Sequence, residues 1–177
     1  RHLNLMEREV GVASAVVADL MDFVIVKEPA RRPLDVNQLA GDVLSELAYP
    51  DAIKIVTALK PGLPLIEADP AQIARALEKL LVNAVEAMTA GGRLTVRTGL
   101  GDDGQMVWIA VSDTGPGIPV EDQARLFDPL FTTKPQGFGL GLPIARSFVE
   151  RHGGRLEVRS SPEKGTTCTV TLPPRSR

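Results

Sequence analysis

A single cysteine, Cys168, and two histidines in 177 residues exclude a disulfide framework and leave too few ligands for a Cys/His zinc site. One lone thiol suits a reducing compartment. Neither sign of charge predominates, with 20 Lys+Arg against 22 Asp+Glu and a formal net charge of −2. The basic residues form no patch, so nucleic acid is not an expected partner. No apolar run approaches the roughly 18 residues of a membrane span. The opening Arg1-His2-Leu3-Asn4 lacks the apolar core of a signal peptide. The segment therefore reads as soluble and cytoplasmic, cut from a longer protein whose absent parts would carry any membrane attachment. What is present is ordinary for a globular chain: 44% hydrophobic and 24% charged residues, enough for one domain with an appendage.

The appendage comes first. Leu3, Met6, Val10, Ala13, Val17, Leu20 and Val24 alternate spacings of three and four, the narrow seam of a helix that packs on another helix. Lys27-Glu28-Pro29-Ala30-Arg31-Arg32-Pro33 stops it, because both prolines resist helix and make a semi-rigid connector. This divides the chain into a helix at 1–28, a linker at 29–34, a domain at 35–174 and a tail at 175–177. Within the domain, Asp35 caps a helix to about Leu47, and Ile53 to Leu59 alternate as a strand with Leu65–Ala68 as its hairpin mate. Asp69-Pro70 starts a helix that runs to Met88 and stops at Gly91-Gly92. Strands are predicted near 93–98, 106–112, 155–160 and 166–172, a short helix near 120–126 and another helix from Leu142 to His152. Helices interleaved with mostly antiparallel strands predict an α+β fold, a two-layer sandwich with a mixed sheet and helices on one face.

Three clusters could carry chemistry. Asp113-Thr114-Gly115-Pro116-Gly117-Ile118-Pro119 follows the apolar strand Val107–Val111. A carboxylate fixed there, beside glycines that leave room for a flat ligand, can accept a hydrogen bond from an exocyclic amine; a tight turn is the plainer reading. Gly137-Phe138-Gly139-Leu140-Gly141-Leu142 precedes a helix with Pro143 in its first turn, and unpaired amides at a helix start suit phosphate oxygens. A flexible loop would have the same composition. Asn83 stands with Gln72, Lys79 and Glu86 on the polar stripe of the helix from 70 to 88. Its side-chain oxygen could help hold Mg²⁺, or simply face water. Thr132, Thr133 and Lys134 could set a hydroxyl or an ammonium on a phosphate, and serve equally well as solvated loop. His152 is explained by the dipole at a helix C-terminus.

Taken in order, these clusters resemble the ATP-binding catalytic domain of sensor histidine kinases, in the superfamily of gyrase-type topoisomerases, Hsp90 and MutL. The resemblance covers residues 35–173. Its N box is similar to Leu80–Met88, its first glycine box to Asp113–Pro119, its F box to Leu126–Lys134 and its second glycine box to Gly137–Leu142. Gly165-Thr166-Thr167 and Leu172-Pro173 fit its last strands. The resemblance implies a Bergerat-type fold in which Asp113 binds the adenine amine, with Gly115 and Gly117 beside it, and Asn83 holds Mg²⁺. It implies backbone contacts to ATP phosphates from Gly137, Gly139, Leu140, Gly141 and Leu142, further contacts from Lys79, Thr132, Thr133 and Lys134, and a mobile lid at 131–137. Thr166 would add to the adenine pocket. The seam helix resembles the second helix of the dimerisation and phosphoacceptor hairpin, with Glu9 and Leu20–Phe23 where that family has similar residues.

Three departures qualify the resemblance. Lys79 replaces the usual asparagine of the kinases and the water-activating glutamate of the ATP-hydrolysing relatives, which favours the kinase branch. Pro143 replaces a small polar residue. No His followed by an acidic residue is present, since His2 precedes Leu3 and Asn4. The implied function is transfer of the ATP γ-phosphoryl to a histidine on an absent helix, for relay to a response-regulator receiver domain, by a homodimer joined through the N-terminal helix. The fragment itself is expected to bind Mg-ATP or ADP without phosphorylating itself. A nucleotide-sensing module or a gyrase-type ATPase is the alternative.

Overall fold

The structure is a computed structural model that describes residues 10, 14, 16–22, 24, 28–101, 104–134 and 137–175. Its elements run β1 (Arg32–Leu34), α1 (Val36–Glu46), β2 (Ile53–Ala58), β3 (Ile66–Ala68), α2 (Pro70–Ala87), β4 (Gly92–Leu100), β5 (Val107–Ser112), α3 (Val120–Gln123), α4 (Gly141–Arg151), β6 (Arg155–Ser161) and β7 (Gly165–Leu172). A five-stranded sheet has the order β2-β4-β5-β7-β6. Only β2 and β4 pair in parallel, with Ile53 opposite Gly92; the other neighbours are antiparallel. The sheet is thus mixed, as expected.

The helices α1 and α2 begin and face inward for a legible reason. Asp35 Oδ1 accepts from the amides of Asn37 and Gln38, and Val36, Leu39, Ala40 and Val43 bury one stripe of α1. Asp69 Oδ1 does the same for Ala71 and Gln72 at the start of α2, where Pro70 loses nothing by lacking an amide hydrogen. Ile73, Ala76, Leu77, Leu80, Leu81, Ala84 and Met88 then bury the inner face of α2 against Leu94, Val96, Ile109, Ile144 and Val149. The core lies between the helices and one face of the sheet. Lys54, Arg97 and Arg159 are exposed.

Three expectations need correction. Leu65–Ala68 is not the hairpin mate of β2. Pro61 and Pro64 interrupt the returning chain, and a proline cannot donate to a ladder. β3 instead pairs antiparallel with β1, Arg32 opposite Ala68, while β2 takes β4 as its neighbour. Residues 32–34, read as linker, are therefore one strand of a small two-stranded sheet. His152 also does more than meet a helix dipole. It is buried; its Nδ1–H donates to the Phe148 carbonyl at 2.7 Å and its Nε2 accepts the Asp69 amide at 3.0 Å, tying the end of α4 to the start of α2.

In the N-terminal stretch, residues 10, 14, 16–22 and 24 are helical. The seam positions Val10, Val17, Leu20 and Val24 are exposed, at 65%, 59%, 44% and 70%. Leu3, Met6 and Ala13 of the expected seam, with His2, Glu9 and Phe23, lie outside the described residues. Among the described residues no helix is long and apolar enough to cross a membrane.

Candidate functional site

Two groups of candidate residues gather at successive turns of α2. At its C-terminal end, β5 delivers Asp113, whose backbone amide continues the ladder to Thr166 O at 2.9 Å. The Asp113 Oδ1 accepts from the amides of Gly115 at 2.8 Å and Thr166 at 3.2 Å. Among the described residues no donor reaches Oδ2. The carboxylate thus has a fixed orientation and one acceptor free for an incoming N–H. Burial raises its pKa above 3.8, opposed in part by the Gly115 and Thr166 amides and by the charge of Lys134. Gly115 lies against Ala87, so a Cβ there would stand 3.1 Å from the Ala87 carbonyl. Gly117, at φ 73°, passes so close to Ser161 that a Cβ would collide with its carbonyl.

The second group surrounds Asn83, one turn earlier on α2 and therefore about 6 Å along the axis. A Cβ on Gly141 would stand 3.3 Å from Asn83 Nδ2, so the start of α4 passes beside the Asn83 amide. Leu140 occupies the N-cap of α4 without a side-chain cap bond, leaving first-turn amides for an outside acceptor. Gly139, at φ 65°, fits where any side chain would strike the Phe131 carbonyl. Leu140 is buried and Leu142 packs on the core, fixing the loop from behind.

Lys134 reaches back to α2. Its Nζ lies 2.7 Å from Glu86 Oε2, 3.3 Å from Asn83 Oδ1 and 3.4 Å from the Asn83 carbonyl. Thr132 and Thr133 are exposed, and Thr132 Oγ1 accepts the Lys134 amide at 3.1 Å. Gly137 packs against Thr132, while Pro135 and Gln136 of the expected lid lie outside the described residues. Thr166 joins the Asp113 group through its amide, and its hydroxyl meets Ser160 Oγ at 2.8 Å. Lys79, one turn before Asn83 on α2, is held by a different partner, its ammonium 2.5 Å from Asp19 of the N-terminal stretch. Arg75, one turn earlier, pairs with Asp22 at 2.8 Å and Asp19 at 3.6 Å.

Sequence reasoning placed Glu86 on the polar stripe without giving it a role; its position three residues after Asn83 was the available signal. Ser160 was missed outright. Its side chain accepts the Ile118 amide at 2.9 Å and donates to the Gly165 carbonyl, bracing the first glycine loop against β6 and β7. A cleft of about 510 Å³ beside Phe127, Pro143 and Arg146 includes neither Asn83 nor Asp113. The site is defined by converging side chains and amides.

A fixed carboxylate at a strand end, an amide on the facing helix and an uncapped helix start beyond it define a nucleotide-binding ATPase fold. Residues 68–176 match the family of histidine kinase-, DNA gyrase B-, and HSP90-like ATPases, and the chain belongs to that family, as a sensor histidine kinase ATP-binding domain. It is 34% identical over 173 residues to the sensor histidine kinase ZraS of Escherichia coli K12, covering 96% of this chain and 37% of that protein. It is 39% identical over 168 residues to the C4-dicarboxylate transport sensor protein DctS of Rhodobacter capsulatus, covering 91% of this chain and 25% of that protein. Among solved structures, full-length ShkA in complex with AMPPNP superposes with TM-score 0.82 at 30% identity over 96% of this chain and 38% of that one. The mycobacterial sensor histidine kinase MprB superposes with TM-score 0.73 at 28% identity, over 84% of this chain and all of that one. The chain thus spans about a third of ZraS and a quarter of DctS.

Proposed function

We propose that this chain binds Mg-ATP and presents its γ-phosphoryl group to a histidine on a hairpin helix outside the chain, for relay to a response-regulator aspartate. The observation that carries this reading is the convergence on α2 of two dissimilar groups one turn apart. The Asp113 Oδ2 faces an amine at one end, and the Asn83 oxygen and the first amides of α4 face phosphate at the other. Gly115, Gly117 and Thr166 shape the base end; Gly137 to Leu142, with Thr132, Thr133 and Lys134, line the phosphate end. Lys79 reaches a phosphate only if its pair with Asp19 opens.

Asn83 fits the role of holding the metal, because its side-chain oxygen already attracts a cation, the Lys134 ammonium. Mg²⁺ there would neutralise phosphate charge, which phosphoryl transfer requires. The chain's own contribution is to orient the nucleotide. The histidine nitrogen then attacks phosphorus as the bond to the bridging oxygen breaks and ADP departs, the imidazole proton passing to a group outside this chain. The unburied seam at Val10, Val17, Leu20 and Val24 supports dimerisation through the N-terminal helix.

Calorimetry of ATP with and without Mg²⁺ tests the site. Asn83→Ala should weaken Mg-ATP at least about tenfold, a charge-assisted contact's worth, and metal-free ATP much less. Supplying a His-bearing hairpin helix in trans tests the reaction. Label on that histidine supports the kinase, binding without transfer supports a nucleotide-sensing module, and steady phosphate release by the chain alone supports an ATPase.

A further inference from the structure

The Lys134 ammonium lies within reach of three oxygens of α2, two of them belonging to Asn83 and the third to Glu86. Its side chain is 36% exposed, so water was available to it. Holding a four-carbon stem in one place costs rotamer entropy, and the Glu86 carboxylate at 2.7 Å is the charge that offsets it. The Asn83 oxygen is thereby occupied by a positive group. A divalent ion on that oxygen, at about 2.1 Å, and an ammonium 3.3 Å from it would place like charges nearly in contact.

We propose that Lys134 is a built-in competitor of the metal: Glu86 holds its ammonium on the Asn83 oxygen in the nucleotide-free protein, and Mg-nucleotide binds by displacing it. The proposal rests on reading Asn83 as the metal-holding residue. The displaced ammonium has an anionic destination close by, since the phosphates would lie at the uncapped start of α4, which passes beside Asn83. The ligand that evicts the lysine also receives it. Glu86 is then a positioning residue that sets how much Mg²⁺ the site requires, and no assignment drawn from the sequence gave it that part.

The experiment uses Glu86→Gln, which keeps the shape and removes the charge. ADP binding is titrated by calorimetry across Mg²⁺ concentrations. With the ammonium released, the Mg²⁺ concentration for half-maximal binding should fall about two- to fivefold, the size of one partly exposed ion pair. An unchanged midpoint overturns the proposal, and so does a raised one, which would make Glu86 a metal ligand instead. Hydrogen exchange on the nucleotide-free protein supplies a separate readout. The amides of Thr132 to Lys134 should exchange faster in Glu86→Gln and in Lys134→Met, and no faster in the double variant; additive effects, or none, overturn the proposal. If the wild-type chain binds no adenosine nucleotide, the reading of the site fails, and the exchange comparison still decides whether the lysine is held.

Discussion

The amide of Asp69 donates to Nε2 of His152 at 3.0 Å, joining residues 83 positions apart in the sequence. The same aspartate caps α2, and the same ring donates to the Phe148 carbonyl. One imidazole therefore satisfies a backbone group at the start of α2 and another near the end of α4. His152→Ala leaves a buried amide without its partner, at a cost of about 1–3 kcal/mol. Thermal melting should fall by roughly 3–10 °C; an unchanged melting temperature would refute the role.

Asp113 gives a prediction with a sign. Burial raises its folded pKa above the unfolded 3.8, so the folded state holds this proton more tightly than the unfolded chain does. Ionised Asp113 therefore costs stability above its folded pKa, and that cost is relieved as pH falls through it. Asp113→Asn removes the charge while its Oδ1 still accepts from Gly115 and Thr166. Denaturant unfolding at neutral pH should show the variant at least as stable as wild type. If Asp113 receives the adenine amine as proposed, calorimetry should show ATP weakened about tenfold or more, because an acceptor has become a donor. ATP affinity of the wild type should drop as pH is lowered through the same range.

The pairs of Lys79 and Arg75 with Asp19 and Asp22 fasten the N-terminal stretch to α2. Each partly exposed pair contributes about 0.2–1 kcal/mol. Asp19→Asn with Asp22→Asn should speed hydrogen exchange at residues 16–22. Salt at 1 M should do the same in wild type, since the screening length is then about 3 Å. Exchange that ignores both changes would mean that the pairs do not hold this stretch.

Cys168, half-buried, lies on β7 opposite Val111 and Val158, and desolvation, with a smaller push from the charge of Asp113, raises its thiol to about 12. Alkylation at pH 8 should be roughly a thousandfold slower than for a free thiol. Denaturant should restore the ordinary rate. Rapid labelling of the native protein would contradict the raised thiol pKa.

Much of this was legible in the sequence, and for local reasons. Asp35, Asp69 and Pro70 announce their helices because capping is settled within four residues, and the spacing of Ile73, Leu77, Leu80, Leu81 and Ala84 reports which face is buried. The order of Asn83, Asp113 and Gly139–Gly141 was enough to expect one site. What escaped was non-local. Pro61 and Pro64 weigh against a hairpin with β2, but that β3 takes β1 as its partner depends on which strand edge is open, and nothing near Leu65 reports it. The roles of His152, Ser160 and Glu86 depend on partners 83, 42 and 48 positions away. The Asp19 and Lys79 pairing crosses 60 positions.

The corner at Asp69 has one more consequence. Its second carboxylate oxygen accepts the Ala30 amide at 2.9 Å, and the Arg31 guanidinium donates to the Arg151 carbonyl at 2.6 Å. The segment just before β1 is thus bolted to the joint where α2 and α4 already meet. A force carried through residues 30–31 would therefore reach the start of one helix and the end of the other together.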